Sequence, residues 1–72
     1  MSNKDIKKIL ADNLRLLRTK KRFSQEAVAS LANIGQNQIS AIENEYANPN
    51  LDTLIKIAQA LGVEFSELFN ED

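Results

Sequence analysis

Residues 24–43 read Ser-Gln-Glu-Ala-Val-Ala-Ser-Leu-Ala-Asn-Ile-Gly-Gln-Asn-Gln-Ile-Ser-Ala-Ile-Glu, and their pattern decides the fold. Ser24 is a favoured N-cap, Glu26 falls in a first turn where a negative charge complements the helix dipole, and Val28, Ala29 and Ala32 recur as an inward face. Two of those three are alanines, which lets a neighbouring helix approach closely. A three-residue break follows, Asn33-Ile34-Gly35. Asn tolerates positive φ better than other residues with a Cβ, so Asn33 suits the left-handed position after a helix, with Ile34 plugging the corner. Gly35 is an acceptable N-cap, and Gln38 can reach back to its N–H as half of a capping box. The second segment then buries Ile39 and Ile42 and turns Gln36, Asn37, Ser40 and Ala41 outward. The spacing predicts two short helices joined by a tight turn. The second runs to about Glu45 and crowds its hydrogen-bonding side chains at its N-terminal end.

The flanking sequence is also helical. Ser2-x-x-Asp5 resembles a capping box, so a first helix is expected from near Ser2 or Asn3. Ile6, Ile9, Leu10, Leu14 and Leu17 form its apolar stripe, and the helix ends at Lys20-Lys21-Arg22, cations that suit a last turn. Tyr46-Ala47-Asn48-Pro49-Asn50 predicts a loop, because Pro49 disfavours helix at Asn48 and Asn50 can cap the next helix. A fourth helix spans roughly Leu51 to Leu61, with Leu54, Ile57, Ala58 and Leu61 inward and Gly62 just past its end. A short fifth helix holds Phe65, Leu68 and Phe69. The expected architecture is all-α with five helices, one domain over residues 1–72 whose core lies between about residues 6 and 69.

Composition narrows the function. A 72-residue chain buries only about 60% of its unfolded surface, so association with a second copy would add to a thin margin. Cysteine and histidine are both absent, which removes most nucleophiles, bases and metal sites that so small a protein can assemble. Ser24, Ser30, Ser40 and Ser66 have no base to activate them and read as caps or surface residues. No enzyme, cofactor or metal is expected, and no small-molecule pocket or effector domain fits in the length. No apolar run approaches a membrane span, and Met1-Ser2-Asn3-Lys4 does not read as a signal peptide, so the cytoplasm is the expected location.

The formal charge of −1 hides an asymmetry. Residues 1–22 hold eight Lys and Arg against Asp5 and Asp12, whereas residues 23–72 hold only Lys56 against eight acids. A dipolar molecule with one basic region matters more for partners than its sum does. Lys20, Lys21 and Arg22, with the lysines of the first helix, are the candidates for touching a nucleic-acid backbone. A solvated helix is the blander explanation of the same lysines.

Helices joined in this way, with the second presenting amides at its start, suit a helix-turn-helix reader of DNA. Gln or Asn can bridge adenine N6 and N7 with two hydrogen bonds, each good pair worth roughly 1–3 kcal/mol of discrimination. Ala41 offers an apolar contact to a thymine methyl, or close approach. Taken alone, these amides favour the plainer reading, a polar face that keeps the domain soluble. Gln25 stands at the start of the preceding helix, near the start of the amide-bearing one, where its amide can bond Gln36 and fix its rotamer. The N–H groups there also suit a phosphate.

From about Leu14 to Phe69 the chain resembles the helix-turn-helix domain of the lambda repressor/Cro (XRE) family. The matching residues are Leu14-x-x-Leu17-Arg18, Ser24-Gln25-Glu26, Val28-Ala29, Ala32, Ile34, Gly35-Gln36, Ile39-Ser40, Ile42-Glu43, Pro49, Leu51, Leu54 and Ala58-x-x-Leu61-Gly62-Val63. The resemblance implies a compact five-helix fold in which Gln36 reads a base with Gln25 in support. Asn37 and Ala41 then face the groove, and Asn44 holds the backbone at the end of the third helix. It also implies a structural ion pair between Arg18 and Glu43. The chain departs from the family where glycine is common, at Arg22, Asn33 and Glu45, and where the loop after Glu43 is commonly basic. The implied function is a transcriptional regulator, a homodimeric repressor on double-stranded DNA. Its palindromic operator would hold half-sites about 34–36 Å apart. Phe65 and Phe69 read equally as the dimer seam or as core closure under the first helix. The competing expectation is a protein-interaction module of the same fold, antirepressor or antitoxin-like, with weak DNA binding.

Overall fold

The structure is a computed structural model that describes residues 6–71. Four α-helices follow in order: α1 Ile6–Lys20, α2 Gln25–Ala32, α3 Gln36–Glu43 and α4 Leu51–Leu61, with a 3₁₀ helix at Phe65–Phe69. No strand occurs among the described residues. The expected capping box at Ser2 to Asp5 lies outside them.

Sequence-encoded caps start two of the helices. Ser24 is extended (φ −74°, ψ 166°) and its Oγ accepts from the Ala27 N–H at 3.0 Å. Asn50 does the same for α4, its Oδ1 accepting from Thr53 N–H at 2.8 Å. Each satisfies one amide that a helix start leaves without a partner, worth about 1 kcal/mol. Gly35 begins α3 without a side-chain cap, so the expected return of Gln38 does not form.

All four helices end in one way. Arg22, Asn33, Glu45 and Gly62 have φ of 60°, 58°, 65° and 68°. In each case the next residue's N–H bonds back to a carbonyl five residues earlier: Phe23 to Arg18, Ile34 to Ala29, Tyr46 to Ala41 and Val63 to Ala58, at 2.8–3.0 Å. This is the Schellman closure, which needs a left-handed residue to reverse the chain. Only one of the four corners uses glycine. Because Glu45 turns left-handed, α3 ends at Glu43 rather than running to Glu45.

The core is a single cluster in which Leu14, Val28, Ile39, Ile57, Leu61 and Leu68 are fully buried. Every helix contributes to it. Ala29, Ala32 and Ala58 are buried between α2 and α4, where small side chains let the helices approach. The fifth element is a correction to the expected α-helix. Five residues give too few i→i−4 bonds, so Phe65–Phe69 tightens to 3₁₀, starting with Glu67 N–H to Glu64 O at 3.0 Å. The Glu64 and Glu67 side chains form a capping box over its start. Asn13 of α1 holds it in place, donating to Leu68 O at 3.1 Å and Asn70 O at 2.8 Å. Phe65 and Phe69 lie 5.6 Å apart between ring centroids, but Phe69 packs on the core whereas Phe65 is exposed.

Candidate nucleic-acid interface

α3 is fixed at one end and open at the other. At its C-terminal end the Glu43 side chain is only 1% exposed, and burying a carboxylate requires donors around it. Arg18 supplies two in a fork, Nε to Oε2 at 2.7 Å and Nη2 to Oε1 at 3.0 Å. Its remaining nitrogen, Nη1, donates to Phe23 O at 2.9 Å. One guanidinium therefore ties α1, the α1–α2 turn and α3 together. The hydrogen bond to Glu43 raises the Arg18 pKa further above its already high ordinary value. Arg15, one turn earlier, approaches Oε1 at 3.6 Å and donates to the Glu43 carbonyl at 2.9 Å. No buried side-chain nitrogen or oxygen among the described residues lacks a partner.

Gln25 joins this network. The sequence predicts its amide on Gln36, but in the structure Gln25 Nε2 donates to Glu43 Oε1 at 3.2 Å. A buried carboxylate is a stronger acceptor than an exposed amide, and its oxygens need the donors more. Gln36 nonetheless comes close to the start of α2, lining a shallow groove with Ser24, Glu26 and Ala27.

At the N-terminal end of α3, Gln36, Asn37 and Gln38 are all exposed, while Ser40 and Ala41 are half-buried on the next turn. Asn37 folds back over Gly35: a Cβ there would stand 2.5 Å from Asn37 Oδ1. Gly35 has an ordinary φ of −77°, so glycine serves space here rather than conformation. Asn37, Gln38 and Ala41 form one wall of a second groove, faced by Asn48, Pro49 and Asn50 from the loop. Asn44 bonds its own helix, Nδ2 to Ser40 O at 2.9 Å.

The described basic residues have different surroundings. Lys8 pairs with Asp12 at 2.8 Å on the surface of α1. The Lys21 ammonium stands 3.7 Å from where a Cβ on Gly62 would be, beside the C-terminal end of α4 whose dipole attracts it. That end is the far one, since Asn50 and Thr53 at the start of α4 line the groove beside α3. Lys20 and Arg22 are exposed, with Arg22 in the left-handed corner after α1.

Two structural contributors escaped the sequence reading. Arg15 carries a weak signal, an arginine three residues before Arg18 on the same helix. Asn13 carries none, because an asparagine in a helix does not announce a partner more than fifty residues away.

A helix-turn-helix family model matches residues 14–68. An uncharacterized HTH-type transcriptional regulator of Sinorhizobium fredii is 38% identical over 64 residues, covering 89% of this chain and 83% of that protein. Two solved structures are similar. A hypothetical transcription factor from Neisseria superposes with a TM-score of 0.89 at 34% identity, covering 97% of this chain and 80% of that one. The restriction-modification controller protein C.AhdI from Aeromonas hydrophila superposes with a TM-score of 0.84 at 34% identity, covering 94% of this chain and all of its own. With a match across most of its length and the turn geometry to accompany it, the chain belongs to the helix-turn-helix family of lambda repressor/Cro (XRE) type.

Proposed function

We propose that this protein is a sequence-specific transcriptional regulator that binds double-stranded DNA, with α3 in the major groove. The observation that carries the reading is the asymmetry of α3, with exposed amides at its start and a buried Glu43 lock at its end. A reader helix must offer base-pairing side chains and hold its own angle, and this one has the parts for both. Gln36 and Asn37 are the base readers, with Ser40 and Ala41 close to the groove floor. Gln25 supports them indirectly through Glu43. Lys20 and Arg22 are the cations offered to phosphate. The position of Lys21 beside Gly62 favours a role at the end of α4 instead.

The working unit is a homodimer on a palindromic operator, because one short helix reads too few base pairs to find a site. Phe65 is its anchor, and Leu51 and Ile55, one turn apart on α4, are further exposed apolar side chains. Phe69 belongs to core closure. Residues 6–71 act as a single domain around their shared core. The decisive experiment selects bound duplexes from a random pool, with complex mass measured alongside. A palindromic consensus bound by two chains, with affinity falling steeply as salt rises, is expected. Absence of duplex binding at low salt overturns the reading.

One observation favours the second reading, a protein-interaction module. The loop from Asn44 to Asn50 carries Glu45 and no cation, where a backbone-binding loop gains from positive charge. The same selection separates the two.

A further inference from the structure

Residues 13–18 of α1 are tied to other elements on two opposite sides. An α-helix turns about 100° per residue, so Arg15 and Arg18 stand about 200° and 140° round from Asn13. On one side the guanidiniums hold α3, with Arg15 Nη2 on the Glu43 carbonyl at 2.9 Å and Arg18 Nε on its carboxylate at 2.7 Å. On the other, the Asn13 amide donates to Leu68 O at 3.1 Å and Asn70 O at 2.8 Å. Those carbonyls lie at the end of the 3₁₀ helix, where a helix leaves acceptors without partners. That element has little else to fix its tilt. It is five residues long, with Leu68 in the core and Phe65 exposed at its start. α1 packs closely on both this element and α3, and so connects the two.

We propose that Asn13 is a positioning residue for operator recognition. By fixing the 3₁₀ helix against α1 it sets the angle between the Phe65 seam and the reader helix, and with it the half-site separation that a dimer accepts. This rests on the dimeric reading above, with Phe65 at the seam. In a two-fold dimer, a tilt of the seam element relative to α3 moves both reading heads together. It changes their separation and their rotation about the duplex axis at once. One base pair shifts a half-site by about 3.4 Å along the duplex and about 35° around it. Neighbouring separations are therefore told apart only when the seam and α3 share one rigid support. The Glu43 lock fixes α3 to α1, and the Asn13 amide fixes the seam element to the same helix.

Duplexes carrying two copies of the selected half-site, with their separation stepped by one base pair either way, read this directly. The parent should prefer one separation over its neighbours by about tenfold or more. Asn13→Ala should reduce that preference to about threefold, with the proportion of dimer and the affinity for a single half-site unchanged. Its unfolding should stay cooperative, with a midpoint lower by about 4–8 °C for the hydrogen bonds lost. Where Asn13→Ala does not fold, Asn13→Gln takes its place. It keeps the donor on a longer side chain, which the groove lined by Ile9, Leu16 and Glu71 can admit, and should flatten the preference in the same way. A preference as sharp as the parent's in the folded variant overturns the proposal. Loss of the dimer, or an equal loss on single half-sites, also overturns it, because Asn13 then serves the fold or the seam as a whole. A parent that binds as a monomer, or binds every separation alike, overturns the dimeric reading and this role with it.

Discussion

The two ends of α3 lie within an eight-residue helix and obey opposite rules. At the N-terminal end the polar side chains have no obligatory partner: Gln36, Asn37 and Gln38 are exposed, and the Gly35 cap makes no side-chain bond. At the C-terminal end the one polar side chain is buried, and Arg18, Arg15 and Gln25 converge on it. Amides lose little by facing water, whereas a carboxylate taken from water needs compensation from every side. The difference teaches how so small a fold can divide its labour. Rigidity is concentrated where charge is buried, and hydrogen-bonding capacity is kept open about two turns away.

The comparison breaks most directly at Arg18. Arg18→Ala leaves Glu43 buried without its 2.7 Å partner, and denaturant unfolding should show a loss of about 3–5 kcal/mol. A loss under about 1 kcal/mol would mean that Arg15 and Gln25 suffice and that the lock is shared more evenly. At the open end, Gln36→Ala should leave unfolding unchanged. It should also reduce preference at one A·T position of the operator by about 1–3 kcal/mol in competition binding, and an equal loss on all sequences would contradict base reading.

Glu45 sharpens the comparison from just beyond the locked end. Glu45→Gly removes a side chain from a left-handed position and should stabilise the fold by about 1 kcal/mol in thermal unfolding. It should also raise affinity for every duplex by removing a charge that repels phosphate. Glu45→Gln separates the two effects, because it keeps the strain and drops the charge. Gly35→Ala has a small expected effect on stability. Its φ of −77° suits alanine, but the new Cβ displaces the Asn37 amide from 2.5 Å away. Operator preference should change at the Asn37 position while the melting temperature moves little, and a preserved preference would remove Asn37 from the readers.

Much of this was legible in local sequence. The bounds of α4 at Leu51 and Leu61 and the caps at Ser24 and Asn50 follow from residue types whose preferences act within one turn. Asn33 in the left-handed region belongs with them. Arg22 and Glu45 do not, since only the resemblance marks them as glycine positions and local pattern runs α3 on to about Glu45. The exposed amides of α3 were visible too, since helical periodicity separates Ile39 and Ile42 from Gln36 and Asn37. The fifth element was legible in place but not in type. Apolar spacing alone does not tell an α-helix from a 3₁₀ turn over five residues.

The tertiary structure decided the partners. The Gln25 amide goes to Glu43, Asn13 closes on Leu68 and Asn70, and Lys21 goes to the end of α4. Each choice depends on which burial leaves the strongest unmet demand for a donor or a charge, and that demand exists only once the helices have packed. Sequence by itself determined where the helices lie and which faces turn inward, because propensity, capping and periodicity are short-range. It could not determine that three of four like corners pack their following residue against the core while the fourth presents Tyr46 to solvent. That outcome is set by the space left among α-helices far apart in the chain.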